Sequence, residues 1–95
     1  VDCPRYIRLI KEGKYAEALA VNREKIPFPS ILGRVCLAFC EKECRHDAMN
    51  EAIGIKSLKR FAAQYDDGAW KERSRFASPT GKKVAVVGAG PAGLT

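Results

Sequence analysis

Three cysteines follow one another at intervals of four residues in GRVCLAFCEKECR, residues 33–45: Cys36, Cys40 and Cys44. Cysteine thiolates hold zinc or iron in many proteins. On a continuous helix, Cys36 and Cys40 lie about 6 Å apart along the axis, and Cys44 lies about 12 Å from Cys36, at a rise of ~1.5 Å per residue. Two ligands of one small cluster can span the first distance but not the second. The spacing therefore favours one centre shared by Cys36 and Cys40 and another for Cys44.

The number of cysteines leaves several kinds of site open. Each [4Fe–4S] centre takes about four thiolates, so three cysteines cannot complete two centres without ligands from elsewhere. A Cys₃His zinc site that includes His46 is one alternative, and a set of inert buried thiols is another. Cys3 lies far upstream and is either a fourth ligand or an ordinary residue at the start of a helix. Because the sequence has no secretion signal, we expect metal ligation in a reducing, cytoplasmic compartment rather than disulfides.

A glycine-rich segment, VAVVGAGPAGLT, matches the pattern G-x-G-x-x-G at Gly88, Gly90 and Gly93. The apolar residues before it predict a buried strand, and this pattern directly after a strand is typical of dinucleotide-binding folds. Gly88 permits a tight turn, Gly90 lets the backbone approach a pyrophosphate, and Gly93 lets a following helix pack on the strand. We expect this segment to be the start of a Rossmann-type domain whose other elements lie outside the 95 residues.

Helices are predicted for most of the sequence before that segment. Pro4 is suited to the first turn of a helix, and Gly13 is suited to its end. A second helix with an apolar face over residues 14–26 completes a helical hairpin. Two prolines interrupt the pattern, and Gly33 is expected to end a brief turn after them. Residues 55–65 show the periodic apolar positions of an amphipathic helix.

The predicted organisation is an all-α bundle over residues 1–76, a linker over 77–83, and the first strand and glycine turn of a Rossmann-type domain over 84–95. The formal charge is +6, from 17 basic and 11 acidic residues. The basic residues are scattered, which disfavours nucleic acid as a partner. No apolar run approaches the roughly 18 residues of a membrane span, so we expect no membrane association. The sequence has no acid–base pair and no activated nucleophile, and we predict no catalytic residue.

Three stretches in this order, PFPSILGRVCLAFCEKECR, AIGIKSLKRFAA and KKVAVVGAGPAGLT, resemble the small (beta) subunit of glutamate synthase and its relatives. These include the N-terminal part of dihydropyrimidine dehydrogenase and related NAD(P)H-dependent flavoproteins. The resemblance covers nearly the whole chain. It implies an α-helical ferredoxin-like domain with two [4Fe–4S] clusters, followed by FAD and NAD(P)H domains. Electrons would pass from NADPH to FAD and then to the clusters, or in the reverse direction.

The resemblance also implies a set of ligands. Cys36 and Cys40 would join an upstream Cys-Pro cysteine in one cluster, and Cys44 would join an earlier cysteine group in the other. The stretch VDCPRYI matches the family residues that follow the Cys-Pro pair, so Cys3 stands at an aliphatic position and is not expected to be a ligand. One family member completes a cluster with a glutamine on the later helix, and the matching positions here, Lys59 and Arg60, cannot replace it.

We therefore expect this chain to be part of a longer NAD(P)H-dependent FAD and iron–sulfur oxidoreductase, similar to the glutamate synthase small subunit. Gly88, Gly90 and Gly93 would bind FAD in that protein. Its partners would be the rest of the flavoprotein chain and a partner oxidoreductase subunit. The 95 residues alone would be inactive and would hold iron poorly or not at all. The alternatives are a helical docking domain without a working cluster and a zinc-stabilised module.

Overall fold

The computed structural model describes residues 1–49, 51–73 and 75–95, and this part of the chain is helical and contains no strand. Its α-helices are Cys3–Lys11 (α1), Tyr15–Arg23 (α2), Pro29–Val35 (α3), Phe39–Lys42 (α4), Ile55–Ala62 (α5) and Trp70–Arg73 (α6). Two short 3₁₀ helices, Arg45–Ala48 and Ala63–Tyr65, accompany them. The prediction of an all-α fold is confirmed. Asn50 and Ser74, which belong to the predicted helical domain, lie outside the described residues.

Helices α1 and α2 form the predicted hairpin. The Asp2 carboxylate accepts a hydrogen bond from the Arg5 backbone N–H at 3.1 Å, which satisfies one of the unpaired donors at the start of α1. Gly13 follows the end of the helix with φ +76°, a conformation that side chains bearing a Cβ disfavour. The chain then reverses, and α2 packs against α1.

The core lies where α1, α2 and α5 meet. Its buried apolar side chains are Tyr6, Ala18, Val21, Ile55 and Ala62. Ala18 and Val21 are three residues apart on α2, and Ile55 and Ala62 are seven apart on α5, so each pair lies on one face of its helix. The predicted amphipathic helix therefore directs its apolar stripe at the hairpin.

Helix α3 packs closely on α5, and Gly33 makes this approach possible. A Cβ atom at Gly33 would lie 3.0 Å from the Arg60 Cα, closer than ordinary van der Waals contact. The expectation that Gly33 ends a brief turn is wrong, because α3 continues through it to Val35. The glycine is used for helix–helix contact instead, and it fixes how α3 presents the cysteine segment that follows.

Residues 75–95 contain no helix and no strand, so the predicted strand over residues 84–87 is wrong for this chain. The backbone of a strand is satisfied by pairing with a neighbour, and the described residues supply no such partner. Val84, Val86 and Val87 are accordingly exposed. A turn is present, since Gly88 has φ +112° and the Gly93 N–H donates to the Gly90 carbonyl at 2.9 Å. None of the described helices has the length and apolar composition of a membrane span.

Candidate metal centre

The backbone leaves the helical conformation at the first cysteine of the trio. Cys36 follows the end of α3 with φ −58° and ψ 134°, and Ala38 adopts a left-handed conformation with φ 54°. Helix α4 then holds Cys40, and Cys44 returns to extended backbone with φ −74° and ψ 121°. A continuous helix over these residues, on which the distance argument depended, is therefore wrong. The spacing between the thiols is set by a turn rather than by helical rise.

That turn places a backbone donor on the Cys36 thiol. The Ala38 N–H lies 3.4 Å from the Cys36 Sγ and donates to it. A left-handed conformation is unfavourable for a residue with a Cβ, so the turn has a conformational cost that the surrounding contacts must offset. Backbone N–H groups directed at sulfur stabilise the thiolate and tune iron–sulfur centres. The local fold therefore suits Cys36 to the role of a metal ligand.

Cys44 lies among a larger set of backbone donors. Hydrogen bonds from the backbone of Ile53, and then from His46 and Asp47, hold the pKa of the Cys44 thiol below its usual value. A lowered thiol pKa increases the fraction of thiolate, which is the form that binds metal. Ile53 comes from the segment before α5, so this environment needs the chain to fold back over the 3₁₀ helix Arg45–Ala48.

Cys40 and Cys3 lie near one buried tyrosine. The Tyr6 side chain is fully buried, and its hydroxyl donates a hydrogen bond to the Ile55 carbonyl at 3.0 Å. Burial raises the pKa of Tyr6 far above its usual value, and Cys3, Cys40 and Glu41 raise it further. The first residue of α1, the short helix α4 and the start of α5 therefore meet around this hydroxyl.

Glu41 ties the cysteine segment to α5. Its Oε1 accepts a hydrogen bond of 2.6 Å from the Lys56 backbone N–H, which is in the first turn of α5. A carboxylate at this end of a helix is stabilised by the unpaired donors and by the helix dipole. The interaction holds α4, and with it Cys40, against the N-terminal end of α5. Neither this contact nor the role of Tyr6 was predicted from the sequence, because nothing in the spacing of Glu41 or Tyr6 distinguishes them from surface or core residues.

No three His, Cys, Asp or Glu side chains among residues 1–49, 51–73 and 75–95 come together as a metal-binding group. Cys36, Cys40 and Cys44 therefore do not form one complete site, and a Cys₃His zinc site is not assembled. The His46 Nδ1 is instead 2.7 Å from the Glu51 carbonyl oxygen. Individually, the thiols of Cys36 and Cys44 have the N–H donors that iron–sulfur ligands use. The chemistry of these two thiols therefore fits that of iron–sulfur ligands.

The predicted cofactor-binding glycines form a compact turn. A Cβ atom at Gly93 would overlap the Gly88 carbonyl oxygen, whereas a Cβ at Gly90 would meet nothing within 4 Å. A side chain at Gly93 would prevent the close approach of the two backbone segments. A side chain at Gly88 would be strained by the positive φ of that residue. Leu94, just beyond the turn, lines a cleft with Arg8 and other residues of the helical hairpin.

Comparison with known families defines the class of this domain. Residues 1–70 match the family described as dihydropyrimidine dehydrogenase domain II, 4Fe–4S cluster, and the chain belongs to that family. It is the iron–sulfur domain of an oxidoreductase family related to the glutamate synthase small chain, as the sequence resemblance indicated.

Curated relatives are similar over almost the whole chain. An NADPH-Fe(3+) oxidoreductase subunit beta from Geobacter sulfurreducens is 42% identical over 99% of the chain and 14% of the relative. An NADP(+)-dependent formate dehydrogenase subunit beta from Moorella thermoacetica is 38% identical over 100% of the chain and 16% of the relative. A glutamate synthase [NADPH] small chain from Bacillus subtilis is 38% identical over 96% of the chain and 19% of the relative. The chain thus spans less than a fifth of the length of these proteins. No solved structure matches it.

Proposed function

We propose that this domain transfers electrons between a flavin and a partner site through two [4Fe–4S] clusters. Cys36 and Cys40 are ligands of one cluster, Cys44 is a ligand of the other, and the remaining ligands come from outside residues 1–95. The family match over residues 1–70 is the observation on which this proposal rests most. The hydrogen bond from the Ala38 N–H to the Cys36 sulfur and the lowered pKa of the Cys44 thiol support it.

The domain belongs, in this proposal, to an NAD(P)H-dependent flavoprotein. Gly88, Gly90 and Gly93 contribute the phosphate-binding turn of an FAD domain that begins at about residue 84, after a helical domain over 1–76 and a linker over 77–83. The conformations of Gly88 and Gly93 suit such a turn. Relatives named for NADP(+) or NADPH support the nucleotide, and those named as beta subunits or a small chain support a partner oxidoreductase subunit.

The chain's own residues have two roles in this function. When bound, the clusters supply one-electron redox chemistry. The Ala38 N–H donates to the Cys36 sulfur. The backbone of Ile53 lowers the pKa of the Cys44 thiol. Backbone dipoles of this kind stabilise negative charge on the sulfurs and so favour the reduced state of a cluster. Glu41 holds α4 against the start of α5, and Tyr6 joins the start of α5 to α1, so the ligand-bearing segment keeps its geometry during electron transfer.

The test uses the full-length protein that contains this domain, purified without oxygen. Cys36→Ala and Cys40→Ala are expected to remove the same electron paramagnetic resonance signal of the reduced protein, while Cys44→Ala removes a different one. Cys3→Ala is the matched control and should leave both signals intact. Iron and acid-labile sulfide should fall in the three ligand variants and stay at the wild-type level in the control.

Other outcomes identify the alternatives. Zinc without iron in the wild-type protein would support a zinc-stabilised module and contradict the proposal. Wild-type spectra that survive all three substitutions together would show that these cysteines hold no cluster. Leu37 and Phe39 are exposed, at 71% and 64%, which favours a docking face as the second candidate function. That function would appear as partner binding that persists in protein without iron.

A further inference from the structure

A cleft with a volume of about 1010 Å³ lies between the helical hairpin and the segment that leads into α3. Its apolar lining consists of Leu9 from α1, Ala20 and Val21 from α2, and Phe28 and Ile31 from the start of α3. Ile31 is 55% exposed, so the apolar wall of the cleft is open to solvent. A concave apolar surface of this kind is typical of a contact with another part of a protein.

The charged residues around the cleft largely neutralise one another. Arg5 pairs with Glu24 at 3.0 Å, and Arg23 pairs with Asp66 at 2.6 Å. The other charged residues of the lining are one arginine and one glutamate, so the lining carries little net charge. An anionic ligand or an acidic partner would gain little from such a surface. The cleft instead favours an occupant with an apolar face.

The chain that leaves the helical domain borders this cleft at two places. Trp70, the first residue of α6, lines it, and so does Leu94, just beyond the glycine turn. The Arg23 guanidinium lies 4.1 Å from the centre of the Trp70 ring and holds α6 beside α2. Leu94 is 59% exposed, so its contact with the cleft leaves much of its surface in solvent. The chain therefore passes the cleft both before and after the linker.

Residues 90–95 form one turn with the hydrogen bonds of an α-helix. The Leu94 N–H donates to the Gly90 carbonyl at 3.0 Å, which is the spacing of four residues found in that helix. The Thr95 hydroxyl donates to the Pro91 carbonyl at 2.6 Å over the same spacing. Proline is favoured at the first position of a helix, where its missing N–H costs nothing. The turn thus has the geometry of a helix start at Pro91.

Two faces of this turn point in different directions. A Cβ atom at Gly93 would overlap the Gly88 carbonyl oxygen and lie 3.6 Å from the Val86 side chain, so this face lies against the chain's own glycine-rich segment. Leu94 is the next residue, about 100° further round a helix. It lines the cleft of the helical domain. A helix that starts here therefore has one face toward its own domain and another toward the helical domain.

We propose that the cleft is the docking site for the helix that begins at Pro91 and continues beyond Thr95. This proposal rests on the proposed function, in which the chain continues into an FAD domain. The relatives have room for it, since the chain spans 14% of one and 19% of another. Residues three, four and seven positions after Leu94 lie on the same face of that helix and complete the apolar contact. The docked helix fixes the orientation of the FAD domain relative to the helical domain.

The test uses the full-length protein with its clusters and flavin, and hydrogen–deuterium exchange followed by mass spectrometry. Ile31→Asp places a charge in the cleft, and an aspartate in the first turn of α3 is compatible with the helix dipole. Met49→Asp is the matched control, because Met49 is 77% exposed and lies outside the cleft. Ile31→Asp should speed exchange in the helix that begins at Pro91 about tenfold, because losing an apolar contact makes local opening easier. Met49→Asp should leave that exchange unchanged.

The outcomes separate this inference from the function on which it rests. A wild-type protein without iron or FAD contradicts the proposed function. A wild-type protein that holds both, but in which Ile31→Asp and Met49→Asp give equal exchange after residue 91, overturns the docking alone. If Ile31→Asp does not fold, by circular dichroism, Ala20→Gln on the hairpin side of the cleft replaces it, and unchanged exchange there also overturns the inference. Protection of the cleft that appears only when a partner subunit is added would place another chain in it and overturn the inference as well.

Discussion

The hydroxyl of Tyr6 donates a buried hydrogen bond of 3.0 Å to the backbone carbonyl of Ile55. The two residues are 49 positions apart, and the bond joins the first helix to the start of α5. Both side chains also belong to the apolar core. A single contact thus connects the packing of the bundle with the end of α5 against which the cysteine segment is held.

Tyr6→Phe should destabilise the helical domain by about 1–3 kcal/mol, because it leaves the buried Ile55 carbonyl without its donor. The change keeps the ring and its packing, so the loss reports the hydrogen bond. Urea denaturation followed by circular dichroism measures it. Tyr65→Phe is the control: Tyr65 is 46% exposed, and its substitution should change stability by less than about 0.5 kcal/mol. Equal effects of the two changes would contradict a structural role for this hydrogen bond.

Gly33→Ala should destabilise the domain by about 1–3 kcal/mol through overpacking, although alanine is the better helix former. The new Cβ would lie 3.0 Å from the Arg60 Cα and 3.1 Å from its backbone nitrogen, so the helix itself must move. Gly54→Ala is a control for steric space, because its Cβ would meet only the Ser57 Cβ at an ordinary 3.8 Å, and its remaining cost is that of alanine at the N-cap of α5. The free energies of unfolding of both variants measure the difference. A neutral Gly33→Ala would mean that α3 does not pack on α5 as described.

The helices and their core were largely predictable from the sequence, and the geometry of the cysteine segment was not. Gly13 ends α1, and the periodic apolar positions of α5 face the core, because both effects depend on local backbone freedom and side-chain spacing. The break at Ala38 has no such local signal, since CLAFC contains neither glycine nor proline. It results from contacts of the folded chain, which include the docking of Glu41 on α5.

The burial of Lys59 could not be predicted from the sequence either. Its neighbours Leu58 and Phe61 indicate the amphipathic pattern, and a lysine within such a pattern is expected at the surface. Lys59 shares a face of α5 with the buried Ile55 and Ala62, and the helices that cover α5 come from separate parts of the chain. The strand prediction over residues 84–87 failed for a related reason, because strand formation depends on a partner that local pattern does not reveal.

Glu41→Gln should weaken the attachment of α4 to α5 by about 0.3–1 kcal/mol, because the amide still accepts from Lys56 but no longer carries a charge at the helix N-terminus. Glu41→Ala should cost more, about 0.5–2 kcal/mol, because it also removes the acceptor. The difference in the free energy of unfolding between wild type and Glu41→Gln should decrease as salt is added, because salt screens the charge of Glu41. Glu43→Gln, at an exposed position two residues later, should have no comparable effect. Urea denaturation at low and high ionic strength measures each value.

The Cys44 thiol should ionise at a lower pH in the folded chain than in the unfolded chain. Backbone hydrogen bonds, the largest from Ile53, lower its pKa and exist only when the chain is folded. Since the folded-state pKa is the lower one, the resulting stabilisation is present above the unfolded pKa and is lost as pH falls through the folded one. The rate of alkylation of Cys44 by iodoacetamide, followed by mass spectrometry against pH in metal-free protein, measures this ionisation.

The matched control for Cys44 is the same chain unfolded in urea. Its alkylation profile should lie at higher pH, because the folded backbone around Ile53 no longer lowers the pKa of the thiol. Coincident profiles in the folded and unfolded chain would show that the backbone does not stabilise the thiolate. A separation of the two profiles in metal-free protein would mean that the fold prepares this sulfur before any iron is bound, since no metal charge is then present to lower the thiol pKa.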